Sequence, residues 1–481
     1  MSTTLALPNI WAPFQFFAGL LSYFKSNSLN SLLIAQFKEE VEGTLTITDN
    51  RTGSKYNVPV IRNSIPALSL RQISAGTKGK NARQQFEEGL RVLDPGYRNT
   101  AVKLSDITFI DGERGIILYR GRPIESLISK SYEDIAHLLI WGDLPTDEQR
   151  MKLRRDLAKA CVAPPCVRKI IESYPRDTPP VVMCMAGLTA FMAEQPNLIP
   201  SFVGKNLYNG KSEMVDQQII RTLAVSAVVV SLTFCHQKGR KFQEADPEAS
   251  FIENLLRMGG FTDAQTTDVD PIKVEILQRL WVLYADHEMT NSTAAFLHVA
   301  SSLADPVSAT IACVASGYGP LHGGAIDTAY QAMRDVGSPR NVPNLISRVK
   351  NKEMRLFGYG HRIYKTVDPR SRFIREMLAG LTKGDLAANM DPVLAIAMEI
   401  DRIAGVDEYF TSRNLQANAD LYGSFVYTAL GVPVEFITPV TMLSRMPGIM
   451  AHWKEAMGRT PEIWRPQQIY TGPKPCGEGS S

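Results

Sequence analysis

Three short segments each set one acid–base side chain beside glycine or a turn former. They are Gly319-Pro320-Leu321-His322-Gly323-Gly324, Gly358-Tyr359-Gly360-His361-Arg362 and Asn418-Ala419-Asp420-Leu421-Tyr422. Imidazole titrates nearest neutral pH and carboxylate is the usual small base. His322, His361 and Asp420 can therefore act together as two polarising or proton-donating groups and one proton acceptor. That set suits removal of a proton from carbon next to a carbonyl. A single histidine is more often packed or superficial than catalytic, and ordinary turns with histidines would also produce these segments. The flanking glycines Gly319, Gly323, Gly324, Gly358 and Gly360 leave little bulk, which permits a ligand to approach the backbone closely.

Arginines follow these segments: Asp368-Pro369-Arg370 after His361, then Arg445 and Arg465-Pro466 after Asp420. A guanidinium grips a carboxylate through a planar two-pronged fork, so a substrate with several carboxylates would need several of them. With 52 Lys and Arg in the chain, most are solvated surface, and spacing alone does not choose among them. Metal chemistry is not expected. His287-Glu288 opens like a zinc-protease helix, but Asn291 stands where the second histidine should fall and His298 comes too late. No phosphate-loop signature occurs either, and the run Gly317 to Gly323 misspaces its third glycine for a dinucleotide site.

The elements that must position these residues read mostly as helices. Apolar residues recur at helical spacing through 131–163, 178–194, 218–235, 272–284, 291–316 and 391–404. Ser131-Tyr-Glu-Asp134 and Thr146-Asp-Glu-Gln149 look like helix openings with reciprocal caps. Two alternating stretches, Thr44–Val60 around Asp49 to Gly53 and Ile107–Tyr119 around Asp111-Gly112, predict small β-hairpins. The fold class is therefore mainly all-α.

The 481 residues, 44% hydrophobic and 21% charged, suffice for one large or two medium domains with a sizeable core. A net charge of +3 is too balanced to suggest a nucleic-acid partner, although an anionic substrate would still favour a locally positive cleft. Six cysteines, at 161, 166, 184, 235, 313 and 476, form no Cys-x-x-Cys pair and read as reduced thiols, which points to an intracellular compartment. Cys161 and Cys166 are the one pair close enough in sequence to invite a redox check. Residues 1–38 lack Asp and Glu and are rich in serine, but they contain no arginine and only Lys25 and Lys38. That is half of an import signature. The apolar run Trp11 to Phe24 is broken and too short for a confident membrane span, so a mitochondrial matrix or a cytoplasmic location stays open.

Taken together, Ala285-Asp286-His287-Glu288, the His322 and His361 segments, Asp368-Pro369-Arg370 and Arg465-Pro466-Gln467-Gln468-Ile469-Tyr470-Thr471-Gly472 resemble citrate synthase motifs in citrate synthase order. The likeness extends forward to Phe109-Ile110-Asp111-Gly112-Glu113-Arg114-Gly115-Ile116 and Pro180-Val181-Val182-Met183-Cys184, so it covers about residues 70 to 472. It implies a two-domain helical fold with a chain extension over 1–43. The large domain would take 44–322 and 426–481, around a small domain at 323–425.

The resemblance also implies roles. Asp420 would take a proton from the carbon beside an acyl-CoA thioester while His322 holds the developing enol oxygen. His361 would polarise the ketone of oxaloacetate, His287 would orient that substrate, and Arg370, Arg445 and Arg465 would hold its carboxylates. Arg465 would reach the neighbouring subunit's site, which implies a homodimer at least. Phe357, Gly358, Tyr359 and Gly360 would lie against coenzyme A, with Arg362 and Lys365 near its phosphates. No bound cofactor is implied, the CoA thioester being a substrate.

One departure stands out, since Ile326-Asp327 follow Ala325 where many citrate synthases have Asn-Glu. Helix packing or a changed acyl pocket would each explain it. Acetyl-CoA is the expected acyl donor, giving citrate. Propionyl-CoA or longer donors, giving 2-methylcitrate or alkylcitrates, are the alternative. A non-catalytic helical dimer kept for binding or regulation is the alternative of another class.

Overall fold

A computed structural model describes residues 41–75, 88–361, 363–383 and 391–473. The expectations for 1–38, Arg362 and Cys476 lie outside those residues. The chain forms two compact units, residues 1–104 and 105–481.

In the first unit, β1 (Val41–Asp49) pairs antiparallel with β2 (Ser54–Ile61). Asp49 builds the turn. Its carboxylate accepts the Arg51 backbone N–H at 3.0 Å and the Arg51 guanidinium at 2.9 and 2.8 Å. Gly53 closes the turn at φ +73°, a conformation costly for residues with a Cβ.

The second unit opens with a small antiparallel sheet in the order β3 (Thr108–Asp111), β4 (Ile116–Tyr119), β5 (Arg122–Pro123). Both hairpins thus match the alternating stretches, and β5 adds a short third strand.

Helices follow: α1 (Tyr132–Trp141), α2 (Asp147–Ala160), α3 (Pro165–Glu172), α4 (Pro180–Ala193), α5 (Pro200–Val203) and α6 (Ser212–Lys238). Next come α7 (Phe251–Met258), α8 (Pro271–Tyr284), α9 (Asn291–Ala300), α10 (Pro306–Gly317), α11 (Ala325–Val336) and α12 (Val342–Lys350). The last are α13 (Pro369–Leu381), α14 (Leu394–Ala404), α15 (Glu408–Thr411), α16 (Ala419–Ala429) and α17 (Ile437–Met457). The architecture is mainly all-α, as the periodicity predicts.

Both predicted capping boxes form. Ser131 and Asp134 bond reciprocally through side chain and backbone, as do Thr146 and Gln149. Each cap is worth about 1 kcal/mol. The stretch 291–316 is two helices rather than one. Asp305 caps the second with its side chain on Ser308 N, and Pro306 at the first helical position has no N–H to continue the first.

The core is organised on α6. Its run Thr222–Cys235 is buried throughout, and α2, α4, α7 and α17 pack around it. Fully burying one such valine contributes about 1.5–3 kcal/mol. By length and composition α6 would cross a bilayer, with mean hydropathy 1.8, yet 83% of that apolar window is buried inside the fold. It is a core helix. The thiols of Cys161, Cys184, Cys235 and Cys313 are buried, and those of Cys161, Cys184 and Cys313 are pushed up to about 12 by that burial. All five described cysteines are free, Cys161 and Cys166 included.

Candidate active site

Four connections between helices bring the chemical residues together. The first is the loop from α10 to α11, which carries His322. His322 N donates to Gly319 O at 2.9 Å and Gly324 N to Gly317 O at 3.0 Å. A Cβ on Gly324 would sit 2.1 Å from Tyr318 O, and one on Gly323 2.6 Å from Gly317 O. These two glycines therefore allow the loop to fold onto itself.

The His322 ring lies against the first turn of α9. Its Nε2 accepts the Ser292 backbone N–H at 3.1 Å and sits 2.8 Å from Ser292 Oγ. A backbone amide only donates, so the proton of the neutral ring belongs on Nδ1. Burial, then the nearby Arg445 charge, lowers His322 to about 4, so the ring is neutral at physiological pH.

His361 is held the opposite way. Its Nδ1 accepts the backbone N–H groups of Ile363 at 3.1 Å and Tyr364 at 3.3 Å, which places the proton of the neutral ring on Nε2. Burial, then Arg370, lowers it to about 4, with Asp368 opposing.

The loop before His361 is clasped to the segment before Asp420. Gly360 N donates to Gln416 O at 2.7 Å, Asn418 N to Gly358 O at 3.0 Å and Asn418 Nδ2 to Gly360 O at 2.9 Å. Gly358 and Gly360 adopt φ +80° and +76° in this clasp. Asn418 then caps α16 by accepting Asp420 N at 2.9 Å. One asparagine therefore sets both the His361 loop and the helix turn that bears Asp420. Burial raises the Asp420 carboxyl above the usual carboxylate range. Arg370 and Arg445 pull it back down and Asp368 adds to the rise.

Asp368 joins the α12–α13 connection, which also carries His361, to the start of α16. It caps α13, with Pro369 at the first helical position, and grips Arg370 through Nε at 3.0 Å and Nη2 at 2.8 Å. Its second oxygen also accepts Ala419 N at 3.0 Å. Burial works against the Asp368 charge, but the Arg370 pair outweighs it and holds the carboxyl low. Arg370 lies over the rings of Tyr284 and Tyr364, 5.6 and 5.9 Å from their centroids. Tyr364 Oη lies 2.9 Å from His287 Nε2, and the His287 and His361 rings are 5.5 Å apart at 66°. Burial, then Arg370, Arg445 and His361, keeps His287 well below its ordinary value.

Arg445 projects from α17. Its charge is felt by His287, His322 and Asp420, yet its Nη1 is buried without a hydrogen-bond partner among the described residues. Leaving a buried donor of a charged group unpaired is costly, so this atom is suited to receive an anion.

His287, His322, His361, Arg370, Asp420 and Arg445 thus share one neighbourhood. Arg465 does not join it within the chain. It lies beyond α17, exposed, with no side-chain hydrogen bond or ion pair among the described residues. Of the expected coenzyme A loop, Phe357 is half-buried, Gly358 and Tyr359 are buried, Gly360 is half-buried and Lys365 is exposed.

Ser292, Tyr364, Asp368, Asn418 and Tyr284 complete the site; Asp368 and Asn418 fall in the segments singled out from the sequence, but none of the five had a role assigned from it. Aspartate just before a proline is a pattern that opens helices and could have marked Asp368 as the cap of α13, but nothing local indicates that its second oxygen reaches α16. Ile326 is 2% exposed, and its Cδ1 would lie 3.6 Å from a Cβ on Gly423. It lies in α11 and packs against α16, the helix whose first turn bears Asp420. Among the described residues no group of three or more His, Cys, Asp or Glu is arranged to hold a metal ion.

A mainly helical architecture thus gathers histidine, arginine and carboxylate side chains from distant parts of the chain into one largely buried acid–base cluster. The family description "Citrate synthase, C-terminal domain" matches residues 96–467. The citrate synthase-like protein oryE of Aspergillus oryzae is 48% identical over 430 residues, covering 89% of this chain and 96% of that protein. The alkylcitrate synthase phiJ of a fungal species is 38% identical over 437 residues, covering 90% and 94%. Among solved structures, the ternary complex of carboxymethyl coenzyme A and oxaloacetate with citrate synthase from Thermoplasma acidophilum superposes with TM-score 0.69 at 27% identity. That match covers 80% of this chain and 98% of that one. The chain belongs to the citrate synthase family, whose members are enzymes that transfer an acyl-derived group.

Proposed function

We propose that the protein condenses an acyl-CoA with oxaloacetate and hydrolyses the thioester, releasing a citrate-type acid and CoA. One observation carries this reading. Two neutral histidines, each with one nitrogen occupied by backbone N–H groups, share a neighbourhood with the raised carboxyl of Asp420 and the unpartnered Nη1 of Arg445.

In this reading the Asp420 carboxylate takes a proton from the carbon next to the thioester carbonyl. The electron pair moves onto the carbonyl oxygen, where His322 Nδ1–H stabilises it by hydrogen bonding. The enol carbon attacks the ketone carbon of oxaloacetate, and the new alkoxide gathers against His361 Nε2–H and takes up a proton there. A neutral imidazole polarises that ketone by hydrogen bonding rather than as an imidazolium. Water then adds to the thioester carbonyl, the C–S bond breaks and CoA leaves with a proton.

Arg370 has two nitrogens committed to Asp368 and keeps Nη1 for a substrate carboxylate, beside Arg445 and His287. The exposed Arg465 is proposed to act in the neighbouring subunit's site of a homodimer. Residues 357–360, Lys365 and Arg362 are proposed to lie against coenzyme A. The small domain of 323–425 is proposed to close over the substrates and exclude water, which strengthens every hydrogen bond at the enol.

Acetyl-CoA is the sequence-based expectation for the donor. A longer acyl chain is the second reading, supported by the name of a relative 38% identical over 90% of this chain. One methylene changes discrimination by only about 1–3 kcal/mol, so shared catalytic residues are compatible with either. The test is CoA release from the full chain with oxaloacetate and acyl-CoAs from acetyl to hexanoyl, with the acid identified by mass. A best substrate of acetyl-CoA supports citrate synthesis and a longer one alkylcitrate synthesis. Release from none of them overturns the enzymatic reading.

A further inference from the structure

Asp286 is a fully buried carboxylate that the reaction scheme does not use, at 0% exposure just before His287. Its contacts run to three elements. Its Oδ2 accepts Glu288 N at 3.0 Å, pinning a turn in which Glu288 adopts the left-handed φ of +53°, unusual for a residue with a long side chain. Its backbone brackets one hydroxyl, since Tyr119 Oη lies 3.1 Å from Asp286 O and 3.3 Å from Asp286 N. Tyr119 comes from β4, so the small sheet braces the turn from one side.

The other side is α17. Arg445, Gly448 and His452 fall at i, i+3 and i+7 and so share a face. Gly448 N donates to Ala285 O at 3.1 Å, and a Cβ on Gly448 would sit 2.1 Å from Asp286 Oδ1. The helix approaches the carboxylate this closely because the residue there is glycine. His452, 2% exposed, brings Nε2 to 3.6 Å from the same oxygen, within ion-pair range. Among the described residues Asp286 Oδ1 has no hydrogen-bond partner, and neither has Arg445 Nη1. Burial works against the Asp286 charge, but His452, then Thr108 and the Arg445 charge, outweigh it and hold the carboxyl low; burial lowers Arg445, and the Asp286 charge is the first to oppose that.

We propose that Asp286 is a positioning residue, the buried counter-charge that holds Arg445 and the His287 turn in register for the substrate's carboxylates. This rests on the reading that oxaloacetate binds at His287 and Arg445. An uncompensated guanidinium at this depth would be costly and would withdraw toward water. The Asp286 charge keeps it in the cleft, while the rigid Tyr119–Gly448 clamp keeps the carboxylate itself from moving toward the substrate.

The test compares wild type with Asp286→Asn, which retains an acceptor for Glu288 N and removes the charge. Oxaloacetate binding is measured by calorimetry on the full chain, alongside KM for each substrate. The expected result is a tenfold or greater loss of oxaloacetate affinity, with KM for acyl-CoA at saturating oxaloacetate changed less than threefold. A general loss of fold would move both alike. Equal oxaloacetate affinity in the two proteins overturns the proposal. Absence of binding to wild type overturns the functional reading beneath it. Should Asp286→Asn not fold, Arg445→Met and the double variant are compared by thermal unfolding. If the double variant is more stable than Arg445→Met, Asp286 had lost its counter-charge and the proposal stands. If the double variant is less stable, the proposal falls.

Discussion

Ser292 and His322 meet at a single ring nitrogen. The backbone N–H of Ser292 donates to His322 Nε2 at 3.1 Å, and the serine hydroxyl lies 2.8 Å from the same atom. The tautomer of His322, and with it the nitrogen left free to donate, is set by the first turn of α9 rather than by the glycine loop that carries the histidine. Because the backbone amide persists in any variant but proline, Ser292→Ala should lower kcat by no more than about tenfold, the worth of one neutral hydrogen bond. His322→Ala, which removes the oxygen-stabilising donor, should cost about 10²–10³ in kcat. Steady-state rates of the two variants test this ordering, and a Ser292→Ala loss as large as that of His322→Ala would contradict it.

Asp420→Asn keeps shape and removes basicity. Turnover should fall by about 10²–10⁴, and solvent deuterium should no longer enter the α-carbon of the acyl-CoA. Oxaloacetate affinity should stay within about threefold, since that substrate is assigned to other residues. Exchange followed by mass spectrometry separates the base from a binding residue.

The pH dependence follows from the signs of the shifts. A base must be deprotonated, and burial raises Asp420, so kcat/KM for acyl-CoA should fall with acid at a pH above the ordinary carboxylate value of 3.8. His322 and His361, lowered to about 4, stay neutral through that range and should impose no transition near 6.5. A pH–rate profile with a limb at 6.5 that survives in Asp420→Glu but disappears in His361→Gln would contradict this assignment.

Asp327 supplies a stability prediction. Burial raises its carboxyl to about 6, a Thr438 hydroxyl at 2.7 Å on Oδ2 opposes the rise, and Oδ1 is buried without a partner among the described residues. The folded state binds this proton more tightly than the unfolded chain. Stability therefore declines as pH rises from about 4 to about 6, and the cost is then complete. Asp327→Asn should raise the melting temperature above pH 6, with a gain of ~1–3 kcal/mol, and give little gain near pH 4. Calorimetric scans at pH 4.5 and 7.5 measure the difference.

Local chemistry made much of the fold legible. Ser131 and Thr146 announced their helices because a capping box needs only residues three apart, and Asp49 to Gly53 announced a hairpin because the turn satisfies itself. The helical stretch 291–316 was misjudged in continuity, since its apolar period runs across the cap at Asp305, and periodicity carries less information there than the proline that follows. His287, His322, His361, Arg370, Asp420 and Arg445 were legible as residue types beside glycines or in motif order, and the chain does place them in one cluster.

What the sequence by itself determined was the helical class, the helix starts and the acid–base residue types, all properties of neighbours within about four positions. Tertiary structure decided the chemistry of those residues. Backbone amides of Ser292, Ile363 and Tyr364 assign the protons of His322 and His361, and Asn418 and Asp368 tie the His361 loop and Arg370 to the first turn of α16. Burial raises Asp420 and lowers both histidines. Such effects arise from desolvation and from donors far away in the chain, and only packing brings them to the same few ångströms.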